Sequence, residues 1–197
     1  MKIAILKYKA GNIYSVINSL KRLGVEPVVT DDVNEVMTAD KVILPGQGEA
    51  KSVMQYLYSH NLNEVICNLR QPVLGICIGM QLMCRHSEEG DTNCLDIFHV
   101  DVKRFIAQSN QDKIPAVGWN EISNLKSPLF KDIVRKEFVY FIHSYYAPLS
   151  AYTIADTDYI LPYSAALNYK NFYAVQFHPE KSGDVGEKIL HKFLSLR

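Results

Sequence analysis

The chain has 197 residues, of which 48% are hydrophobic and 21% are charged, as in an ordinary globular domain. Lysine and arginine total 21 and aspartate and glutamate total 21, so no net charge attracts nucleic acid or an anionic membrane over distance. No apolar run approaches the ~20 residues of a membrane span, and the run at residues 2–6 is too short for a signal peptide. We therefore expect one cytoplasmic domain, residues 1–197, with no nucleic-acid or membrane partner.

Short apolar runs alternate with helical patterns in the first half of the chain. The predicted strands are residues 2–6, 26–30, 41–44 and 73–76. The predicted helices are residues 13–23, 32–39, 50–60 and 62–69. Because strands that alternate with helices form parallel sheets, this half predicts an α/β fold.

The second half is richer in strands. They are predicted at residues 100–105, 138–144, 152–155, 164–169 and 172–176. Apolar residues at helical spacing between Val185 and Leu194 then predict an amphipathic final helix. Since no Gly/Ser/Pro-rich linker divides the halves, we predict a single mixed sheet in a three-layer α/β domain.

Gly75-Ile76-Cys77-Ile78-Gly79 has the strand–turn–helix context of a nucleophile elbow, with cysteine in place of serine. The glycines leave room in a sharp turn, and the turn exposes the thiol at the edge of the sheet. A thiolate there is favoured by the positive end of the helix dipole, and the Ile78 N–H can stabilise an oxyanion. The pentapeptide alone is equally compatible with a small, buried, inert cysteine.

Gln176-Phe177-His178-Pro179-Glu180 closes a predicted strand and offers a base followed by a carboxylate. In extended chain, residues two apart face the same way, so Glu180 can orient His178 while His178 takes the thiol proton. Taken separately, the two residues are more commonly a solvated strand end and a charge that precedes a helix.

Pro45-Gly46-Gln47-Gly48 lies where α/β proteins place ligand loops, after a strand and before a helix. The loop can supply a second oxyanion donor. It lacks the Gly-Lys-Ser/Thr ending of a phosphate loop, and a simple turn is the alternative interpretation.

Together, Pro45-Gly46-x-Gly48, Gly75-x-Cys77-x-Gly79-x-Gln81 and Phe177-His178-Pro179-Glu180 resemble the motifs of class I glutamine amidotransferases. More narrowly, the chain is similar to the glutaminase subunits of imidazole glycerol phosphate synthases. The segments that carry this similarity are Gly11-Asn12-x-x-Ser15-Val16, Gly118-Trp119-Asn120, His143-Ser144-Tyr145-Tyr146 and His178-Pro179-Glu180-Lys181-Ser182. The resemblance implies a flavodoxin-like, mixed, mostly parallel sheet with helices on both faces.

The resemblance also implies the chemistry. Cys77 would attack the amide carbon of glutamine, ammonia would leave, and His178 with Glu180 would assist hydrolysis of the thioester. Gln47 and Ile78 would supply the oxyanion N–H groups. The residues implied to contact glutamine are Gly46, Gly48, Gln81, Glu89, Ser144 and Tyr145. We expect no cofactor, and no metal, because the remaining histidines lack metal-ligand spacing.

The implied partner is a (β/α)8-barrel cyclase subunit, bound as a heterodimer. It would use the ammonia to make imidazole glycerol phosphate and an aminoimidazole carboxamide ribotide in histidine biosynthesis. The residues implied to face this partner or the ammonia passage are Asn12, Trp119, Tyr140, His143 and Lys181. The Lys7-Tyr8-Lys9-Ala10 and Ala116-Val117 segments depart from the family pattern, which leaves open a synthase of another pathway, such as sugar amidination.

Other functions remain open at this point. A stand-alone γ-glutamyl hydrolase or cysteine peptidase would use the same three residues on a larger substrate. An amidotransferase that serves pyridoxal phosphate or anthranilate synthesis would share them too, although Gly11-Asn12 and Gly118-Trp119-Asn120 argue against this. A catalytically idle binding subunit would be expected to have lost one of the three, and all are present.

Overall fold

The computed structural model describes residues 1–8, 13–46, 48–133 and 137–196. The strands of the first half are β1 (Ile3–Leu6), β2 (Val28–Thr30), β3 (Lys41–Leu44), β4 (Val73–Ile76), β5 (Cys84–Ser87) and β6 (Thr92–Asn93). Those of the second half are β7 (Phe98–Arg104), β8 (Ala116–Ile122), β9 (Glu137–His143), β10 (Tyr145–Tyr146), β11 (Thr153–Tyr159), β12 (Leu161–Tyr169) and β13 (Phe172–Val175).

The helices are α1 (Tyr14–Arg22), α2 (Val33–Thr38), α3 (Ala50–Ser59), α4 (Leu62–Asn68), α5 (Ile78–Met83) and α6 (Gly183–Ser195). Single 3-10 turns lie at Pro128–Phe130 and Pro179–Lys181. None of the helices in the described ranges combines the length and apolar character that a bilayer crossing requires.

A seven-stranded sheet with the order β11-β12-β13-β4-β3-β1-β2 forms the centre of the fold. The pairings from β13 through to β2 are parallel, whereas β11 with β12 and β12 with β13 are antiparallel. The sheet is therefore mixed and mostly parallel, which confirms the predicted fold class. Its carboxyl edge at β4 and β13 is where the candidate site lies.

Helices cover both faces of the central sheet. Val42 and Leu44 of β3 pack with α2, α3 and α4, while Ile43 between them packs with α1 and α6 on the opposite face. A strand that is buried on both faces is mostly apolar, which explains the apolar runs of β1, of β4 and of residues 42–44 in β3, where Lys41 at the strand start is the buried exception. This arrangement gives the three layers.

The prediction of a single sheet for all later strands is wrong. Strand β7 joins a four-stranded sheet with β5, β6 and β10, and β8 pairs with β9 in a separate antiparallel ribbon. The physical reason is visible in β9, where buried and exposed residues alternate, because such a strand can bury only one face. Cys84 follows α5 directly, begins β5 and pairs with Phe98.

Candidate active site

Cys77 lies at the sharp turn between β4 and α5. Its backbone angles are φ 49° and ψ −106°, a conformation that non-glycine residues rarely adopt. A Cβ on Gly79 would be 2.3 Å from the Leu44 carbonyl oxygen, and one on Gly75 would be 2.7 Å from the Gly79 carbonyl oxygen. The two glycines thus let α5 begin in direct contact with the sheet, and the predicted strand–turn–helix elbow is present.

The second arm of the site follows β13, the parallel neighbour of β4. Cys77 N donates to Val175 O at 2.8 Å, so the residues after Val175 run beside the elbow. His178 Nδ1 lies 2.8 Å from Glu180 Oε1, and both side chains are at most 5% exposed. The predicted His178–Glu180 pair therefore forms, inside the protein rather than in solvent.

His178 is electrostatically coupled to its neighbours. Burial disfavours its imidazolium, but the Cys77 sulfur and the Glu180 carboxylate outweigh that effect and raise the pKa of His178 to about 10. A Cβ on Gly46 would be 3.0 Å from His178 Cε1 and 3.1 Å from Cys77 Cβ, so the three residues converge. Within the described residues, the buried His178 Nε2 has no hydrogen-bond partner. This nitrogen is available to exchange a proton at the reacting centre.

A cavity of about 380 Å³ opens over the thiol and the imidazole, a size that suits a small polar molecule. Its lining includes the predicted residues Gly46, Gly48, Cys77, Ile78, Gln81, Glu89, Ser144, Tyr145, His178 and Lys181. Pro115, Ile142 and His143 complete the lining. Gln47, the other predicted oxyanion donor, lies outside the described residues.

Ile78 and Glu89 bring opposite polarity to this cavity. Ile78 is the first residue of α5, so its N–H is among those that the helix itself cannot satisfy. Glu89 is half-buried, and its Oε2 accepts from Ala50 N at 2.7 Å, at the start of α3. Burial is the main cause that raises the pKa of Glu89, and the nearby Glu49 charge raises this pKa further. The cavity therefore offers a hydrogen-bond donor beside the thiol and a carboxylate farther along its wall.

His143 forms part of the cavity wall. Its Nδ1 is 2.7 Å from Tyr145 O, and its Nε2 is 3.1 Å from the Tyr163 hydroxyl. Burial lowers the pKa of His143 to about 4, so the ring is neutral at pH 7 and donates through Nδ1 to the carbonyl. His143 is only 6% exposed and lines the cavity, so its predicted place at the partner face or the ammonia passage stays a prediction.

The β8–β9 ribbon presents an exposed apolar face beside the cavity. Trp119 pairs with Tyr140 across the ribbon in a T-shaped contact, 6.1 Å between ring centroids, and Lys181 Nζ lies 5.7 Å from the Tyr140 ring. Lys181 also lines the cavity, so this face and the cavity adjoin. We call the face the ribbon patch, defined by Val117, Trp119, Phe138, Tyr140, Ile142 and Lys181. Asn12 lies outside the described residues.

Comparison with known proteins identifies the family. Residues 4–196 match the family described as glutamine amidotransferase class-I. The chain belongs to the class I glutamine amidotransferase family. A Bacteroides thetaiotaomicron protein named imidazole glycerol phosphate synthase subunit HisH is 59% identical over 196 residues, covering 100% of both chains. A Bacteroides fragilis protein of the same name is 60% identical over the same coverage.

Structural comparison agrees with this family. A solved structure described as a glutamine amidotransferase aligns with a TM-score of 0.73 at 15% identity, covering 98% of the chain and 97% of that structure. At this identity the likeness supports the fold. The elbow, the strand end and the cavity thus belong to a glutamine amidotransferase scaffold.

Two residues at the site were missed as functional candidates. Gln176 is fully buried, and its Nε2 donates to Cys77 Sγ at 3.5 Å. Its position two residues before His178 on an extended segment was a usable signal, because such residues share a face. Tyr8 follows β1 at the same sheet edge, and its buried hydroxyl donates to Pro45 O, next to the Gly46 turn. Burial raises the pKa of Tyr8, with a further contribution from Cys77.

The spare cysteines do not share this setting. Burial raises the pKa of Cys84, and it raises the pKa of Cys94 to about 12, so both thiols stay protonated at pH 7. Cys67 is exposed on α4, away from the cavity lining. Among the four cysteines, Cys77 alone adjoins a buried histidine and the cavity.

Proposed function

We propose that the chain is the glutaminase subunit of an imidazole glycerol phosphate synthase and that Cys77, His178 and Glu180 are its catalytic residues. One observation carries the proposal: the thiol, the imidazole and the carboxylate converge at one end of a cavity of amino-acid size. The name of the full-length relatives at 59–60% identity supports the choice of synthase. The whole chain works as one domain, residues 1–197.

The reaction begins with proton transfer from the Cys77 thiol to His178. The thiolate attacks the side-chain amide carbon of glutamine, and the negative charge that develops on the amide oxygen is met by the Ile78 N–H and by the Gln47 peptide. His178 then returns the proton to the amide nitrogen, which leaves as ammonia. A water molecule that gives its proton to His178 hydrolyses the thioester, so glutamate is released and the thiol is restored. Glu180 holds His178 in orientation throughout.

Glutamine is held by both ends. Glu89 pairs with its α-ammonium group, a partner that offsets the burial of this carboxylate. The Gly46 and Gly48 backbones lie beside the reacting amide, and Gln81, Ser144 and Tyr145 shape the wall. These assignments follow the lining of the cavity, and each predicts a rise in KM when its contact is removed.

The partner is a cyclase subunit with a (β/α)8-barrel fold, bound as a heterodimer in the cytoplasm. The ribbon patch is the surface that receives it, since exposed apolar faces of this kind mark protein interfaces. Trp119, Tyr140 and Lys181 are the central contacts, joined by Asn12, and ammonia leaves past Lys181 because that residue borders both cavity and patch. Val117, Phe138 and Ile142 extend the same surface.

The proposal is tested by glutamate release from the purified chain, alone and with a histidine-pathway cyclase and its ribotide substrate. We expect strong stimulation when both are present. Rapid turnover that is independent of any partner would instead indicate a stand-alone γ-glutamyl hydrolase. Stimulation by a different ammonia-using synthase would assign the chain to another pathway.

Replacement of the nucleophile separates the two reactions of the synthase. In Cys77→Ala, we expect glutamine-dependent synthesis by the complex to fall at least ~1,000-fold, because no thioester can form. Synthesis from added ammonium salt should persist, since it does not use this cavity. Cys67→Ala is the matched control and should leave both rates unchanged. Equal loss of both reactions in Cys77→Ala would contradict the assignment.

A further inference from the structure

Two buried amides link the cavity wall to the sulfur of Cys77. Gln81 Nε2 donates to Tyr145 O at 3.1 Å and to Gln176 Oε1 at 3.0 Å. Gln176 Nε2 then donates to Cys77 Sγ at 3.5 Å. Gln176 is fully buried and Gln81 is 3% exposed, so these bonds do not compete with bulk water. The nucleophile therefore receives a hydrogen bond from a fully buried amide.

The donor and acceptor roles in this series of hydrogen bonds are set by the Tyr145 carbonyl, at the end away from the sulfur. Tyr145 O is a carbonyl and can only accept, so Gln81 must present its nitrogen toward it. The same nitrogen meets Gln176, which must then present its oxygen. The Gln176 amide nitrogen is thus left toward the sulfur, and its orientation does not depend on the sulfur itself.

The sheet explains why Gln176 reaches this sulfur. Val175 of β13 is paired with Ile76 of β4 in parallel register, so the next residues on the two strands, Gln176 and Cys77, lie side by side. Gln176 N is also held by Ala165 O at 2.8 Å, on the other side of β13. Gln176 is the first residue after β13, and this backbone hydrogen bond to β12 holds the donor at the edge of the central sheet.

We propose that Gln176 is a further catalytic residue, which stabilises the thiolate of Cys77 by donating a hydrogen bond to its sulfur. This inference rests on the proposed glutaminase function. The donor acts twice in the cycle: it raises the fraction of thiolate before attack on glutamine, and it stabilises the same thiolate as the leaving group when the thioester is hydrolysed. Gln81 is a positioning residue that keeps the Gln176 nitrogen on the sulfur.

The test measures the thiolate directly and without glutamine. The rate of Cys77 alkylation by iodoacetamide is followed against pH by mass spectrometry, in full-length chain that carries Cys67→Ser to remove the exposed thiol. In Gln176→Leu, the midpoint of the profile should move up by about one pH unit, a tenfold loss of thiolate at a fixed pH below it. In Gln176→Glu the shift should be larger, because a carboxylate replaces the donor.

Turnover gives the second readout. We expect kcat of Gln176→Leu, in complex with the cyclase, to fall about tenfold while KM for glutamine changes less than twofold. Asn168→Leu is the matched control: it removes a half-buried amide on neighbouring β12 that donates to Phe172 O and not to sulfur. Its alkylation profile should coincide with that of the parent chain.

A purely structural role for Gln176 predicts a different result. Both Gln176 variants would then unfold at lower temperature but keep the parental alkylation midpoint, and this outcome would overturn the proposal. If both Gln176 variants fail to fold, Gln81→Met provides the test, because it leaves Gln176 in place and removes the contact that orients it. We expect a smaller upward shift of the alkylation midpoint. An unchanged midpoint would refute the proposal. A failed glutaminase assay with the expected shifts would contradict only the proposed function.

Discussion

The two arms of the site bring their side chains to the same sheet edge by different means. At the elbow the backbone positions the thiol: Cys77 has a positive φ, and Gly79 allows α5 to start against Leu44 O. At the strand end, side chains position the base: His178 O accepts from Ser182 Oγ at 2.7 Å, and His178 Nδ1 contacts Glu180 Oε1. The nucleophile is placed by steric constraint and the base by hydrogen bonds.

This difference predicts two kinds of sensitivity. A methyl group added at the elbow collides with main chain, which cannot move without disturbing the sheet, so the whole fold should suffer. Loss of a polar group at the strand end leaves the main chain in place, so activity and its pH dependence should change more than stability. The predictions below start with the elbow.

The largest effect is expected for Gly79→Ala. The new Cβ would lie 2.3 Å from Leu44 O and 3.0 Å from Leu44 Cβ, so α5 and β3 must separate. We expect the free energy of unfolding to fall by about 3–5 kcal/mol, measured by urea denaturation. Gly24→Ala is the contrasting control, because Gly24 has a positive φ of +78°, which Gly79 lacks, while its Cβ would meet nothing within 4 Å. Gly24→Ala should lower the free energy of unfolding by about 1 kcal/mol.

A loss in Gly79→Ala no larger than that in Gly24→Ala would show that the contact with Leu44 adds little to the cost. The elbow would then be placed by local conformation alone. Such a result would weaken the contrast between the two arms.

The second effect concerns Glu180→Gln at the strand end. The carboxylate is among the groups that raise the pKa of His178 above its ordinary value, to about 10, so its removal lowers that pKa. The alkaline limb of kcat, where His178 loses the proton it must return to the leaving nitrogen, should therefore move to lower pH. We expect kcat at pH 7 to fall roughly 100-fold, because the amide no longer orients the ring or stabilises its charge.

Asp184→Asn is the matched control for this change, since it alters net charge equally from the exposed first turn of α6. Its pH profile of kcat should be unchanged. A Glu180→Gln profile that kept its alkaline limb in place would mean that the Cys77 sulfur alone sustains the imidazolium. Glu180 would then act only on orientation.

The same contrast explains what sequence could and could not predict. The elbow was predictable because its cause is local: an apolar strand, two glycines and a helix start lie within eleven residues, 73–83. The apolar runs of β1, β3 and β4 likewise reveal strands buried on both faces. Local steric requirements leave a local pattern.

The features that could not be predicted from the sequence depend on long-range contacts. No pattern around residues 98–104 shows that β7 pairs with β5 rather than with the central sheet. The inward turn of His143 was available from the alternation in β9, but its contact with Tyr163 was not. Gln176 reaches the sulfur only because β13 lies beside β4 across nearly a hundred residues of chain. Such pairings are specified by the whole fold.

The smallest effect is expected for Ser182→Ala, which loosens the strand end without touching the charges. Ser182 Oγ donates to His178 O at 2.7 Å and accepts from Tyr140 N at 3.0 Å, so the variant loses two buried hydrogen bonds. We expect a loss of about 1–2 kcal/mol in the free energy of unfolding and a several-fold fall in kcat with an unchanged pH profile. Ser195→Ala, at the exposed end of α6, should change neither. A shifted profile would mean that backbone anchoring, and not the Glu180 charge, sustains the protonated His178, and the two arms would then differ less than their geometry suggests.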